Sequence, residues 1–410
     1  MNRPACVGRF FCVNKMSRNS EFIQKLGQTN QSPYLIDVDR AEGIYIYDKE
    51  NKAYMDMIAG VAVSNIGHSH PKIKEALKSQ IDRHLHVMVY GEFIQDAQLA
   101  FAQRLVRLLP SSLNTVYTVN SGTEANEAAL KLAKRVTGRT ELVSFRGSYH
   151  GSTHGSMSVS GNEVKKQAFR PLLPDVRFLQ HNSIPDLEHI TTKTAGVIIE
   201  TIQGDAGVRV PNPDFLQALR KRCTEVGALL IFDEIQCGMG RAGKLFAFEH
   251  YNVIPDVLTL GKALGGGMPI GAVVSSHENL WEFTYNPMLG HITTFGGHPV
   301  VCASANAFLE IMETEIDFEE VERLGALLES IIGLSPEIKE IRRIGMMFAF
   351  DMESFERVEK VVKRCLEKGL ISFWFLSHPY SFRLSPPLTI TEDEIRKAGD
   401  IILSSILETA

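Results

Sequence analysis

No C-x-x-C pair occurs anywhere in the chain. The six cysteines, Cys6, Cys12, Cys223, Cys237, Cys302 and Cys365, are scattered. That spacing argues against a disulfide framework or a cysteine-based metal site and fits reduced thiols in a cytosol-like compartment. An excess of basic charge is also missing. The formal net charge is −5, which gives no footprint for nucleic acid. The P-loop pattern G-x-x-x-x-G-K-[ST] is absent, and no G-x-G-x-x-G follows the first strand, so neither common nucleotide signature is present. A membrane span is lacking as well. Residues 257–276 and 283–309 are long and sparsely charged, but the first run holds five glycines, Pro269 and Lys262, and the second holds Asn286, His291, His298 and two prolines. Neither composition suits a bilayer core.

What remains is a soluble-type chain of 410 residues, 44% hydrophobic and 22% charged. That is enough for a large domain with a smaller companion. Residues 1–32 form an N-terminal extension. Its first 18 residues carry Arg3, Arg9, Lys15 and Arg18 and no acid, a composition shared by a transit peptide, a plain tail, or a leader before a true start at Met16. Residues 33–70 contain apolar alternation around the polar turn "DKEN", which predicts a hairpin. From residue 71 to 304, short apolar runs ("TVYTVN", "ELVSF", "AGVIIE", "GALLIFDE", "DVLTLG") alternate with helical stretches. This is the pattern of an α/β fold, with a mostly parallel sheet and helices on both faces. Residues 305–410 suggest a smaller α+β domain of helices around one short strand, "MMFAFDM", completed by the N-terminal hairpin.

In open α/β sheets, ligands sit beyond the carboxyl ends of the strands. Three strand ends carry suitable chemistry. After "TVYTVN" come Ser121, Gly122 and Thr123 at the start of a helix. They offer either a phosphate site on free N–H groups or an ordinary capping box to Glu124. After "GALLIF" comes Asp233, a carboxylate that would be a metal ligand, a base, the partner of a cationic ring nitrogen, or a helix cap; no His or Cys lies nearby at ligand spacing. After "DVLTL" comes Lys262, the one charged side chain between residues 257 and 276. It is either a desolvated nucleophilic amine or a snorkelling surface lysine. Together, a phosphate cradle, a carboxylate and a lone lysine match the needs of pyridoxal 5'-phosphate.

At these residues the chain resembles the class III aminotransferases, of the ornithine, acetylornithine and 4-aminobutyrate type, within the fold-type I group of pyridoxal-phosphate enzymes. The resemblance runs from about residue 33 to the C-terminus. It rests on "LLIFDEIQCGMGRAGKLFAFEHYNVIPDVLTLGKALGGGMPIGAV", "NSGTEANEAALKLA", "GSYHGST", "IIETIQGDAG" and "TTFGGHP". It implies that Lys262 forms the Schiff base and shuttles the proton, and that Asp233 pairs with the pyridine nitrogen. Gln236 would reach the ring hydroxyl, and Ser121, Gly122 and Thr123 would hold the phosphate. Tyr149 would stack on the ring, although an isolated tyrosine is as readily a core residue. Glu200 and Gln203 would supply further cofactor-side hydrogen bonds. The resemblance also implies a homodimer with shared sites, in which Thr294 reaches the phosphate of the neighbouring subunit and Thr293 lines the entrance. Arg383 would bind the carboxylate of glutamate or 2-oxoglutarate, the alternative being a surface salt bridge. Val61 would shape the donor pocket.

Two positions depart from the family pattern. Ser152 stands where acetylornithine and ornithine members carry a carboxylate-binding arginine. Asp205 stands where many relatives have a glutamate that pairs with the position of Arg383; one methylene shorter, it is expected to pair loosely or through a water. The expected activity is transfer of an amino group from an ω-amino acid, ornithine-like or similar amine donor to 2-oxoglutarate or pyruvate by a ping-pong mechanism. An aminomutase, racemase or decarboxylase of the same fold is the alternative, and a non-catalytic scaffold is disfavoured because Lys262 and Asp233 are both present.

Overall fold

The computed structural model describes residues 17–410. The basic stretch before residue 17, with its possible targeting role, lies outside them. At the centre is a seven-stranded sheet. From one edge to the other its strands are Thr115–Val119, Gly271–Ser275, Val257–Gly261, Leu229–Asp233, Thr194–Glu200, Glu141–Phe145 and Val176–Leu179. Gly271–Ser275 runs antiparallel to both of its neighbours, and the remaining pairs are parallel. Every residue of Thr194–Glu200 is buried. Val197 and Ile199 pack into one apolar cluster and Ala195 and Ile198 into the other, so this strand is covered on both faces. A continuous apolar run is what that position requires.

Two of these strands, "VRFL" and "GAVVS", are not among the runs singled out in the sequence. Val176–Leu179 is a four-residue edge strand with exposed Arg177, so its apolar signal is weak. Gly271–Ser275 returns directly from the glycine-rich loop after Lys262, which breaks the strand–helix alternation.

Two four-stranded sheets complete the frame. The expected hairpin forms between Tyr45–Asp48 and Ala53–Asp56, and Leu370–Ile371 adds a parallel strand to it. The expectation of one strand after residue 305 needs correction. Met347–Asp351 is joined by Glu340–Ile344, Phe373–Trp374 and Ser381–Leu384. Arginines in two of these strands, Arg342, Arg343 and Arg383, had masked their strand character.

Arg241 ties distant segments together. It is fully buried, and its guanidinium donates to the carbonyls of Met346 (3.1 Å) and Pro386 (2.5 Å) and to Asn65 Oδ1. Burial pushes its pKa down to about 9. Replacement by alanine would strand three buried acceptors and leave a cavity. Arg241→Ala is expected to lower unfolding stability by about 3 kcal/mol or more, measured as a drop in the urea midpoint. A shift within error would mean that water replaces the guanidinium without cost.

Candidate active site

The helix Gly122–Thr137 starts directly after the edge strand Thr115–Val119. Ser121 Oγ accepts the N–H of Glu124, and Glu124 Oε2 accepts the N–H of Asn120. The capping interaction is therefore real, but it uses only the third turn position. The N–H groups of Gly122 and Thr123 stay free in a first turn with no intrahelical partners. Ser121 is spent on the cap. The Thr123 hydroxyl is spent on Ser156 (2.6 Å) and Thr153 (2.9 Å). What this loop offers an anion is backbone N–H and the positive end of a sixteen-residue helix. Gly122 is needed for the close approach: a Cβ there would lie 2.7 Å from the Ile235 side chain.

Asp233 ends the central strand Leu229–Asp233 and is 3% exposed. Asn126 Nδ2 (2.8 Å) and His150 Nδ1 (2.7 Å) both donate to its Oδ2, and the N–H of Ile235 donates to its Oδ1. Thr259 in turn donates to Asn126 Oδ1 (2.8 Å). A carboxylate only accepts, so His150 carries its proton on Nδ1. Three fixed donors hold the Asp233 side chain in one orientation, which suits the partner of a protonated ring nitrogen. Asn126 and His150 were not recognised from the sequence. Both lie inside quoted motifs, Asn126 on the buried face of its helix and His150 next to Tyr149, and only the fold brings them to Asp233. No group of three or more His, Cys, Asp or Glu close enough to hold a metal occurs among the described residues.

Lys262 follows the neighbouring strand. Its backbone has φ of 44°, the left-handed region that a non-glycine residue adopts at some cost and that often marks functional sites. Its amine borders a cavity of about 270 Å³ together with Gly122, Thr123, Tyr149, Glu200, Asp233 and Gln236. Desolvation lowers its pKa from the ordinary lysine value, with Arg383 adding to the effect and Asp233 and Glu200 opposing it. A neutral amine is thereby brought nearer to working pH. Glu200 is 4% exposed and accepts the N–H groups of Tyr149 (2.8 Å) and Gly204 (3.0 Å); burial raises its pKa to about 7. Gln236 is fitted closely, since a Cβ on Gly204 would fall 1.6 Å from its Oε1. Gln203, by contrast, turns away and donates to the carbonyl of Arg146.

Tyr149 is 39% exposed, so the core-packing alternative does not hold; its hydroxyl meets Ser152 Oγ at 3.1 Å. Both residues also line a second, adjoining cavity of about 430 Å³ with Met157, Asn162, Lys165 and Phe169. Arg383 is no surface residue. It is 9% exposed, its Nε is buried without a partner, and its guanidinium lies 5.6 and 5.7 Å from the ring centroids of Phe373 and Phe375. Asp205 and Arg383, expected to pair loosely or through a water, make no direct hydrogen bond. Asp205 instead receives Lys165 Nζ (2.5 Å), Ser377 Oγ (2.6 Å) and the N–H of Leu376 (3.3 Å). A shorter side chain beside a lysine takes the nearer cation.

Besides Gln203, six expected site residues do not border the Lys262 cavity: Ser121, Asp205 and Arg383, described above, and Thr293, Thr294 and Val61. Thr293 Oγ1 accepts the N–H of Gly296, Thr294 is exposed, and Val61 lies on a left-handed turn. In that turn Ala59, Gly60, Val61 and Ala62 have φ of 45°, 58°, 67° and 60°. Asp56 pins its start through the N–H groups of Ile58 and Gly60. A β-branched residue held there marks a position under constraint.

A fixed carboxylate, free N–H groups at a helix start, a desolvated amine and a closely walled cavity fit pyridoxal 5'-phosphate. Comparisons with known proteins agree. A family model described as "Aminotransferase class-III" matches residues 26–406. The acetylornithine aminotransferase of Methanocaldococcus jannaschii is 40% identical, covering 86% of this chain and 89% of that one. The acetylornithine aminotransferase of Bacillus subtilis is 38% identical, covering 88% and 93%. Among solved structures, ornithine aminotransferase from Toxoplasma gondii aligns with a TM-score of 0.88 at 30% identity, covering 95% of this chain and 93% of that one. The chain belongs to the class III aminotransferases, fold-type I enzymes that use pyridoxal 5'-phosphate to move an amino group from an amine donor to an oxo acid.

Proposed function

We propose that the donor is an ω-amino acid or ornithine-like amine and that the acceptor is 2-oxoglutarate, with pyruvate as the other candidate, bound in alternate half-reactions at one site. The observation that carries this reading is Arg383. A buried guanidinium without an ion-pair partner among the described residues is costly unless a substrate anion completes it, and its planar fork suits a carboxylate. Its charge adds to the downward shift of the Lys262 amine, which puts the guanidinium within electrostatic reach of the reacting group. The names of the relatives, acetylornithine and ornithine aminotransferases, support the donor class.

When bound, pyridoxal 5'-phosphate supplies an aldehyde for an amine and a ring that takes up electrons. The chain does the rest. Lys262 would hold the cofactor through its amine and, when that amine is free, would take up and return a proton at the donor carbon. Asp233, oriented by Asn126 and His150, keeps a proton on the ring nitrogen. The N–H groups of Gly122 and Thr123 bind the phosphate, with Ser121 shaping the loop. Tyr149 covers one ring face, Gln236 reaches the ring hydroxyl, and Glu200 orients the Tyr149 backbone. Ser152 and Val61 shape the donor side.

The same reading takes the chain as a homodimer. Leu85, Phe93, Ile94, Met288 and Phe295 are all more than half exposed, large apolar side chains of the kind that subunit contacts cover. Exposed Thr294, with Thr293 beside it, is then available to a neighbouring subunit's phosphate. A cytosol-like compartment suits the buried, unpaired Cys223, Cys237, Cys302 and Cys365. Among the described residues no helix is long and apolar enough to cross a membrane.

The test is Arg383→Ala. Loss of a buried charge-assisted pair should raise KM for 2-oxoglutarate about 100-fold, while a donor lacking an α-carboxylate changes little. Equal effects on both substrates would remove Arg383 from substrate recognition.

A further inference from the structure

Asp205 and Arg383 form an incomplete pair. Asp205 is 7% exposed and Arg383 9% exposed, and the carboxylate is near enough to oppose the downward shift that burial imposes on the arginine. Two opposite charges buried together should meet. They do not, because each of the three donors to Asp205 comes from elsewhere. Lys165 projects from the short helix Glu163–Lys166. Ser377 and Leu376 belong to the segment just past Phe375, whose ring flanks the Arg383 guanidinium. Asn162 Nδ2 also donates to Ser377 Oγ (2.9 Å), which fixes the hydroxyl that faces Asp205. Of these donors only Lys165 brings a full opposite charge, and it does so while lining the cavity that opens from Tyr149 and Ser152.

We infer that Lys165 is a specificity-determining positioning residue: by capturing Asp205 it keeps that carboxylate off Arg383 and leaves the guanidinium permanently open to substrates that bring a carboxylate next to the reacting carbon. The inference rests on the reading of Arg383 as the carboxylate site. Without Lys165, Asp205 would have one hydroxyl and one long N–H contact against a bare guanidinium. Its lowest-energy partner would then be Arg383, and it would compete with every carboxylate substrate. Lys165 thus acts as a competitor for the competitor. Lys165 Nζ also lies 5.3 Å from the Tyr149 ring centroid and lines the same cavity as Ser152, which supplies no charge.

The experiment compares Lys165→Met, Asp205→Asn, the double variant and Arg383→Ala, all as holoenzyme. Two quantities are read: the dissociation constant of glutarate, a non-reacting dicarboxylate, by calorimetry, and KM and kcat for 2-oxoglutarate. Lys165→Met should weaken glutarate and raise KM about tenfold with kcat within about twofold, because Asp205 now occupies the site. The double variant should recover to within about threefold of the parent, since the released acid is gone. Asp205→Asn alone should bind glutarate no more weakly than the parent, since the competing acid is gone. An unchanged glutarate affinity in Lys165→Met would overturn the inference, as would a loss that the double variant fails to repair. Arg383→Ala separates the two layers. If it leaves glutarate binding intact, the carboxylate site itself is wrong; if it abolishes binding while Lys165→Met has no effect, only the role of Lys165 falls.

Discussion

Lys262→Ala is expected to lower turnover by about 10⁴-fold or more, because in the proposed mechanism one side chain both anchors the cofactor and moves the proton. The parent protein should be yellow and should bleach with borohydride, leaving the cofactor fixed to the peptide that contains Lys262; the variant should yield no such labelled peptide. Its fold should survive. The lysine borders a cavity and its amine has no hydrogen-bond or ion-pair partner among the described residues, so the melting temperature measured without cofactor should move little. The pH dependence has a definite sign. Desolvation disfavours the ammonium, so the pKa of Lys262 lies below the ordinary lysine value. A base is active when deprotonated, so the acid limb of the half-reaction should lie at lower pH than the titration of an ordinary lysine amine. Turnover of Lys262→Ala close to the parent value would refute the assignment.

The second large effect is expected at Asp233. In Asp233→Asn the charge is lost while the shape is kept, and turnover should fall about 10²- to 10³-fold, the usual size for removing one preorganised electrostatic group. The hydrogen bonds sharpen this expectation. Asp233 Oδ2 accepts from both Asn126 and His150, and Oδ1 accepts from the N–H of Ile235. An asparagine must point an NH₂ group at one of these donors, so at least one buried donor is left opposed or unpaired, at about 1–3 kcal/mol. Weaker cofactor retention should therefore accompany the rate loss, read from the absorbance remaining after dialysis. A variant that keeps its cofactor and loses no rate would show that the ring nitrogen is not served by Asp233.

The main sheet was largely legible because its strands are buried on both faces and so spell out apolar runs such as "AGVIIE". The legible part ended where burial and composition separate. "VRFL" is an exposed edge, and "SFRL" carries Arg383 into a strand whose four residues are all buried. No local pattern announces a charged residue that the core encloses.

The chemistry divides along the same line. Lys262, Asp233 and the loop 121–123 follow strands at the carboxyl edge, and strand–helix alternation alone puts such residues on one rim. The order of strands and residues by itself therefore pointed to the cofactor and to Lys262 as the candidate anchor, and the longer motifs, through their resemblance to a family, to the reaction class. Which side chains pair was decided only by the tertiary structure. Asn126, His150 and Thr259 reach Asp233 across 107, 83 and 26 residues of chain, directly or through Asn126. Asp205, expected on Arg383, went to Lys165 because a carboxylate binds the cation that the fold brings nearest. Spacing along the chain carries no information about that distance.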